Sequence, residues 1–137
     1  MQLPSSLIPL DRWKVYKGKL PPGSDKKHRI IIMTNADNLN YLYVTTKVEK
    51  AKRIWRDDLA SIVEVEPEDW DCITEPSCVK CTKKEMCSIT ESEFKDMYTQ
   101  GELELLGDLP DNIKTKIISA ICSSLTYSPQ EKKFYTL

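Results

Sequence analysis

Apolar residues enter this chain first as short strand-like runs and later at helical spacing. Between Arg12 and Leu20, Trp13, Val15 and Leu20 stand against Lys14, Lys17 and Lys19, the alternation of a half-buried strand with a basic outer face. Pro21 to Asp25 breaks that pattern with a loop. Ile30 to Met33 is a continuous apolar, β-prone run, and Tyr41 to Thr46 is a second, rich in Tyr, Val and Thr. Asn35 to Asn40 between them holds three Asn and one Asp, residues that accept turn geometry. Lys26 to Lys47 is therefore predicted to be a β-hairpin. Two registers are open. With Arg29 opposite Thr45, Ile30 and Ile32 share a face with Leu42 and Val44, and Tyr41 and Tyr43 share the other with Arg29. A one-residue slip sets Arg29 opposite Thr46.

Downstream, Val48 to Arg56 reads as a short helix or a basic loop, Ser61 to Val65 as a third strand, and Glu66 to Asp71 as an acidic turn. Thr90 and Glu93 form a capping box, followed by Phe94, Met97 and Tyr98 at helix spacing and Gly101 as a C-cap. Glu102 to Leu106 is a link with strand character. Asp108-Leu109-Pro110 opens a second helix whose stripe is Ile113, Ile117, Ile118, Ile121 and Leu125. Residues 1–11 read as an extended arm. Pro129 reads as a stop, and 127–137 as a loose tail. Strands first and helices last predict one α+β domain over 1–137, a small curled antiparallel sheet with C-terminal helices.

The chain has 137 residues, enough for a modest core without staples. Its net charge of -1 hides an asymmetry. Residues 1–56 carry 12 Lys and Arg against 4 Asp and Glu, whereas 57–137 carry 8 against 17. A basic surface suited to phosphates is expected from the first half. No apolar run approaches a membrane span and no signal-peptide layout opens the chain, so the expectation is a cytoplasmic protein with no membrane partner. Five Cys, an odd number, argue against a secreted disulfide framework.

Candidate chemistry is sparse. Cys72, Cys78, Cys81 and Cys87 contain one C-x2-C pair, and neighbouring Lys80, Lys83 and Lys84 would favour thiolates. A second such pair or a His partner is missing, so reduced structural thiols are expected and no metal or cofactor is assigned, with a four-sulfur site organising an interaction protein as the alternative. Cys122 is expected in the core. His28 is the single His, and there is no Gly-rich phosphate loop. What remains is a basic strand edge. Lys26, Lys27, His28 and Arg29 precede one strand and Lys14, Lys17 and Lys19 lie on another. Tyr16, Tyr41 and Tyr43 are candidate stacking platforms for single-stranded nucleic acid.

Gly23, Ser24 and Asp25 before Arg29, the aliphatic run Ile30 to Met33, and Val44-Thr45-Thr46 ending the second strand resemble the MazF/PemK/Kid-like toxin endoribonucleases. So do Cys81 or Cys87, Ser88 to Tyr98, Leu106-Gly107 and the closing segment Asp111 to Leu125. The resemblance covers the order of elements over roughly residues 12–126. It implies an SH3-like barrel that cleaves single-stranded RNA without a metal, works as a homodimer and is neutralised by a cognate antitoxin protein. Arg29 would then neutralise the phosphate and Thr45 donate a hydrogen bond to it. His28 would act as a base, and Lys19, Lys26, Lys27, Thr46 and Lys47 would bind the flanking RNA. Ile30 stands where that family has Pro, and Arg12-Trp13-Lys14 replaces its usual opening. These departures motivate the alternative of a non-catalytic SH3-like module that binds nucleic acid or a protein.

Overall fold

The computed structural model describes residues 4, 7–35 and 38–136. Its elements are β1 (Lys14–Gly18), β2 (His28–Asn35), β3 (Leu39–Thr45), α1 (Val48–Ile54), a 3-10 segment (Arg56–Ser61), β4 (Ile62–Val65), β5 (Ser77–Lys80), a 3-10 turn (Lys83–Glu85), β6 (Cys87–Ile89), α2 (Glu91–Thr99), β7 (Leu103–Asp108), α3 (Asp111–Ser123) and α4 (Pro129–Thr136). The protein is α+β with antiparallel strands in the order β4-β5-β3-β2-β1-β7, and β6 also pairs with β3. No pairing joins β4 to β7 among the described residues, so the path is open and not closed into a barrel. The chain packs as two compact units. Unit 1 is Met1–Tyr43 with Cys87–Asp108, and unit 2 is Val44–Met86 with Leu109–Leu137. No helix among the described residues is long and apolar enough to cross a membrane.

Unit 1 is built on a cross-strand layer. Tyr16 faces Ile30 and Ile30 faces Tyr43, so these three lie on one side of the sheet. Tyr16, Ile30, Ile32 and Tyr41 form a buried cluster there with Leu20, Phe94, Tyr98 and Leu103. Phe94 meets the Tyr16 ring edge-on at 4.9 Å between centroids, a favoured aromatic geometry. The Tyr16 hydroxyl donates to the Pro9 carbonyl at 2.6 Å. Ile8 and Leu10 belong to the same cluster. The described part of the expected arm is thus anchored, because burying two aliphatic side chains outweighs the ordering of a few residues. Thr90 caps α2 by accepting from the Glu93 amide at 3.1 Å. Gly101, at φ 78, lets the Gly101 and Glu102 amides close onto Tyr98 and Met97. The expected cap signals at both ends of α2 are therefore present. Gly18 sits where β1 passes β7: a Cβ there would lie 2.3 Å from Leu103 Cδ2 and 2.8 Å from the Glu102 carbonyl oxygen. The tip of the β2–β3 turn at Ala36 and Asp37 lies outside the described residues, as do Met1–Leu3, Ser5, Ser6 and Leu137.

In unit 2, α3 buries Ile113, Ile117, Ala120 and Ile121. Two readings of this stripe need correction. Leu125 is 80% exposed and lies past the helix end, and Cys122, next to the buried stripe but turned about 100° from Ile121, is exposed. The C-terminal end of α3 is held by a buried polar network. Asp58, itself buried, accepts from the Ser124 hydroxyl at 2.7 Å and from the Leu125 amide at 3.0 Å. Ser124 Oγ lies 2.9 Å from Thr126 Oγ1. Thr126 Oγ1 in turn accepts from Thr82 at 3.0 Å and from the Lys83 amide at 2.9 Å.

The expected loose tail is instead helix α4. Ser128 accepts from the Glu131 amide at 3.1 Å while Glu131 accepts from the Ser128 amide at 2.9 Å, a reciprocal capping box. Pro129 takes the first helical position, where its missing N–H costs nothing. Tyr127, buried and donating to the Cys81 carbonyl at 2.5 Å, gives the Tyr135 ring of this helix a surface at 5.7 Å.

Candidate nucleic-acid interface

The expected basic edge lies at the end of unit 1 where β1 leaves the sheet and β2 enters it. Gly18 faces His28 and Lys17 faces Arg29 across that ladder. Lys19, Lys26 and Lys27 occupy the connection and are exposed, and His28 and Arg29 are half-buried.

The open end of the hairpin departs from both sequence alternatives, whereas its turn end, with Thr34 opposite Asn40 and Asn35 opposite Leu39, keeps the register that would set Arg29 opposite Thr45. Those registers need Ile30 opposite Val44 or Thr45, whereas Ile30 stands opposite Tyr43. The cause is an irregularity between Ile32 and Thr34 that shifts the pairing by one residue partway along the hairpin. Near the turn, Thr34 faces Asn40, whose side-chain amide donates to Thr34 Oγ1 at 2.7 Å. The shift inverts the expected faces. Ile30 and Ile32 now share a face with Tyr41 and Tyr43, while Arg29 shares the other with Ile31 and Leu42.

Two of the three expected stacking platforms are removed by burial. Tyr16 and Tyr41 have no exposed surface, so neither ring is open to a base. Tyr43 is half-buried and meets the His28 ring edge-on at 5.2 Å. This His28–Tyr43 pair is not visible in the sequence, because it needs the shifted register. His28 Nδ1 lies 2.9 Å from the Leu20 carbonyl oxygen. A carbonyl only accepts, so Nδ1 carries the proton and donates. In the neutral ring, Nε2 then holds the lone pair.

Charge is redistributed by the pairing of β7 on β1. That strand brings acidic residues of the second half of the chain against basic residues of the first. Lys17 faces Glu104, and Lys14 binds Asp108 at 2.9 Å. Unit 1 as a whole holds 8 Lys and Arg against 9 Asp and Glu, so the basic half does not survive as a broad patch. What survives is local: among the described residues Lys19, Lys26 and Lys27 form no ion pair.

Thr45, Thr46 and Lys47 fall in unit 2. Thr45 pairs with Cys78 in the β3–β5 ladder, and its hydroxyl accepts from the Lys47 amide at 3.2 Å, a local turn bond. Thr46 and Lys47 are exposed.

All five Cys are free thiols. Among the described residues no three or more His, Cys, Asp or Glu side chains gather in a way that could hold a metal ion. The nearby lysines do not turn Cys78 and Cys81 into thiolates. Burial pushes the Cys78 thiol up to about 11, over the opposing pull of Lys80. Burial also raises Cys81. The neutral Cys78 thiol therefore stabilises unit 2 below its unfolded value of 9.0, and that contribution is lost as pH rises through about 11. Urea melts should show stability falling over this window, with a shallower onset in Cys78→Ala. Near neutral pH, iodoacetamide should modify exposed Cys122 while leaving Cys78 and Cys81 protected until unfolding.

No family model matches the chain, and no curated protein matches it.

Proposed function

We propose that the β1–β2 end of unit 1 binds single-stranded RNA through its phosphate backbone, as a non-catalytic module. The observation that carries this reading is the set of exposed lysines at positions 19, 26 and 27, free of ion pairs among the described residues, next to the His28–Tyr43 pair. Point charges on flexible stems suit phosphates, and one partly open ring suits a single stacked base. The resemblance in element order to the MazF/PemK-like, SH3-like family supports RNA as the polymer. Burial of Tyr16 and Tyr41 favours backbone binding over base readout.

A second reading, a metal-independent endoribonuclease, is favoured by one observation, the anchoring of His28 Nδ1 on the Leu20 carbonyl. A fixed imidazole with a lone pair on Nε2 is suited to take a proton from a ribose 2′-hydroxyl. That hydroxyl then attacks the adjacent phosphate, and a 5′-hydroxyl end leaves. Arg29 would supply positive charge, and Thr45, the antitoxin and the homodimer enter this reading from the resemblance alone.

One assay separates the two. Labelled single-stranded RNA is incubated with protein in EDTA and followed by anisotropy and by end analysis. The binding reading predicts intact RNA and a loss of affinity of roughly tenfold or more in Lys26→Glu/Lys27→Glu. New 5′-hydroxyl ends that vanish in His28→Gln would establish the second reading instead.

A further inference from the structure

We infer that Cys87 is a modification site, a thiol that hydrogen peroxide oxidises to a sulfenic acid alongside the Tyr41 hydroxyl. Strand β6 is three residues long and pairs only with β3 among the described strands. Its ladder sets Cys87 directly opposite Tyr41, so the two side chains share one face. Tyr41 is completely buried, yet its hydroxyl has no hydrogen-bond partner among the described residues. A buried hydroxyl left without a strong partner is uncommon and calls for a reason. The polar group beside it is the Cys87 thiol, and a thiol is a weak acceptor. Cys87 packs against the unit 1 core on one side and is only partly buried, which leaves sulfur within reach of a small solute.

The pairing suits oxidation at both ends of the step. Burial holds the Tyr41 proton well above the ordinary tyrosine range, so its O–H remains a donor that can hydrogen-bond the attacking sulfur when it is a thiolate. Thiolate sulfur attacks one oxygen of hydrogen peroxide. The S–O bond forms as the O–O bond breaks, sulfur is oxidised by two electrons and peroxide is reduced. The leaving hydroxide takes up the proton released by the thiol and departs as water. The new sulfenic oxygen is a far better acceptor than sulfur and gives the Tyr41 hydroxyl the strong partner that the thiol does not.

The test treats the full chain with hydrogen peroxide, traps sulfenic acid with dimedone and quantifies each cysteine peptide by mass spectrometry. Cys87 should be trapped, and Tyr41→Phe, which keeps the ring, should slow trapping at Cys87 roughly threefold while leaving Cys122 unchanged. A readout that needs no variant accompanies it. In the unmodified wild-type chain, iodoacetamide should alkylate half-buried Cys87 faster than exposed Cys122. Failure to trap Cys87, an equal rate in Tyr41→Phe, or slower alkylation at Cys87 than at Cys122 would each overturn the assignment.

Discussion

Asp58→Ala should lower the stability of unit 2 by about 3 kcal/mol, because it removes a buried carboxylate and leaves two donors without their acceptor at once. Asp58 binds the Ser124 hydroxyl and the Leu125 amide at 2.7 and 3.0 Å. The hydroxyl can turn toward Thr126 Oγ1, 2.9 Å away. The backbone amide has no such freedom, and an orphaned donor carries the larger part of the penalty. Asp58→Asn keeps the volume and one acceptor, so it should cost about 1 kcal/mol. Urea unfolding of the three proteins checks the ranking. Hydrogen exchange should place the loss of protection at the C-terminal end of α3 and at Leu125. An alanine variant as stable as wild type would mean that the network is ornamental to unit 2.

Gly18→Ala should destabilise unit 1 by about 3 kcal/mol, the upper range for overpacking a site that cannot yield. The added Cβ would meet Leu103 Cδ2 at 2.3 Å and the Glu102 carbonyl oxygen at 2.8 Å. Shortening Leu103 in the same protein relieves only the side-chain half of the clash. The double variant Gly18→Ala/Leu103→Val should therefore stay less stable than Leu103→Val alone. The β1–β7 pairing at stake also brings Glu104 opposite Lys17, so thermal melts of the single variant should be read together with its RNA affinity.

Much of the fold was legible because its signals are local. The alternation around Val15, the aliphatic run at Ile30, the T-x-x-E box at Thr90 and the isoleucines of α3 each report on one element, and each element formed. Features that depend on partners distant in sequence were not legible. Strand β5 lies inside the segment read for cysteine spacing, and its identity comes from pairing with β4 and with the end of β3. Pro129 reads as a terminator until Ser128 and Glu131 are recognised as a capping box, after which it reads as a helix start. That signal was in the sequence and its S-P-x-E spacing could have found it. The face on which Tyr41 lies follows from the irregularity after Ile32, which no propensity marks, and Tyr16 is buried because β1 sets it opposite Ile30 under Phe94 and Tyr98 of α2. The lysine positions of the candidate site were readable; the surviving charge was not, because β7 cancels part of it.

If Lys19, Lys26 and Lys27 hold RNA by its phosphates, as proposed, binding must weaken with salt. Three phosphate contacts to a single strand predict that log K falls against log salt concentration with a slope of about −2. Lys26→Ala should make that slope shallower by about 0.7 and weaken binding evenly across RNA sequences. A slope unchanged in Lys26→Ala, or affinity that does not respond to salt, would show that these lysines do not hold the phosphates.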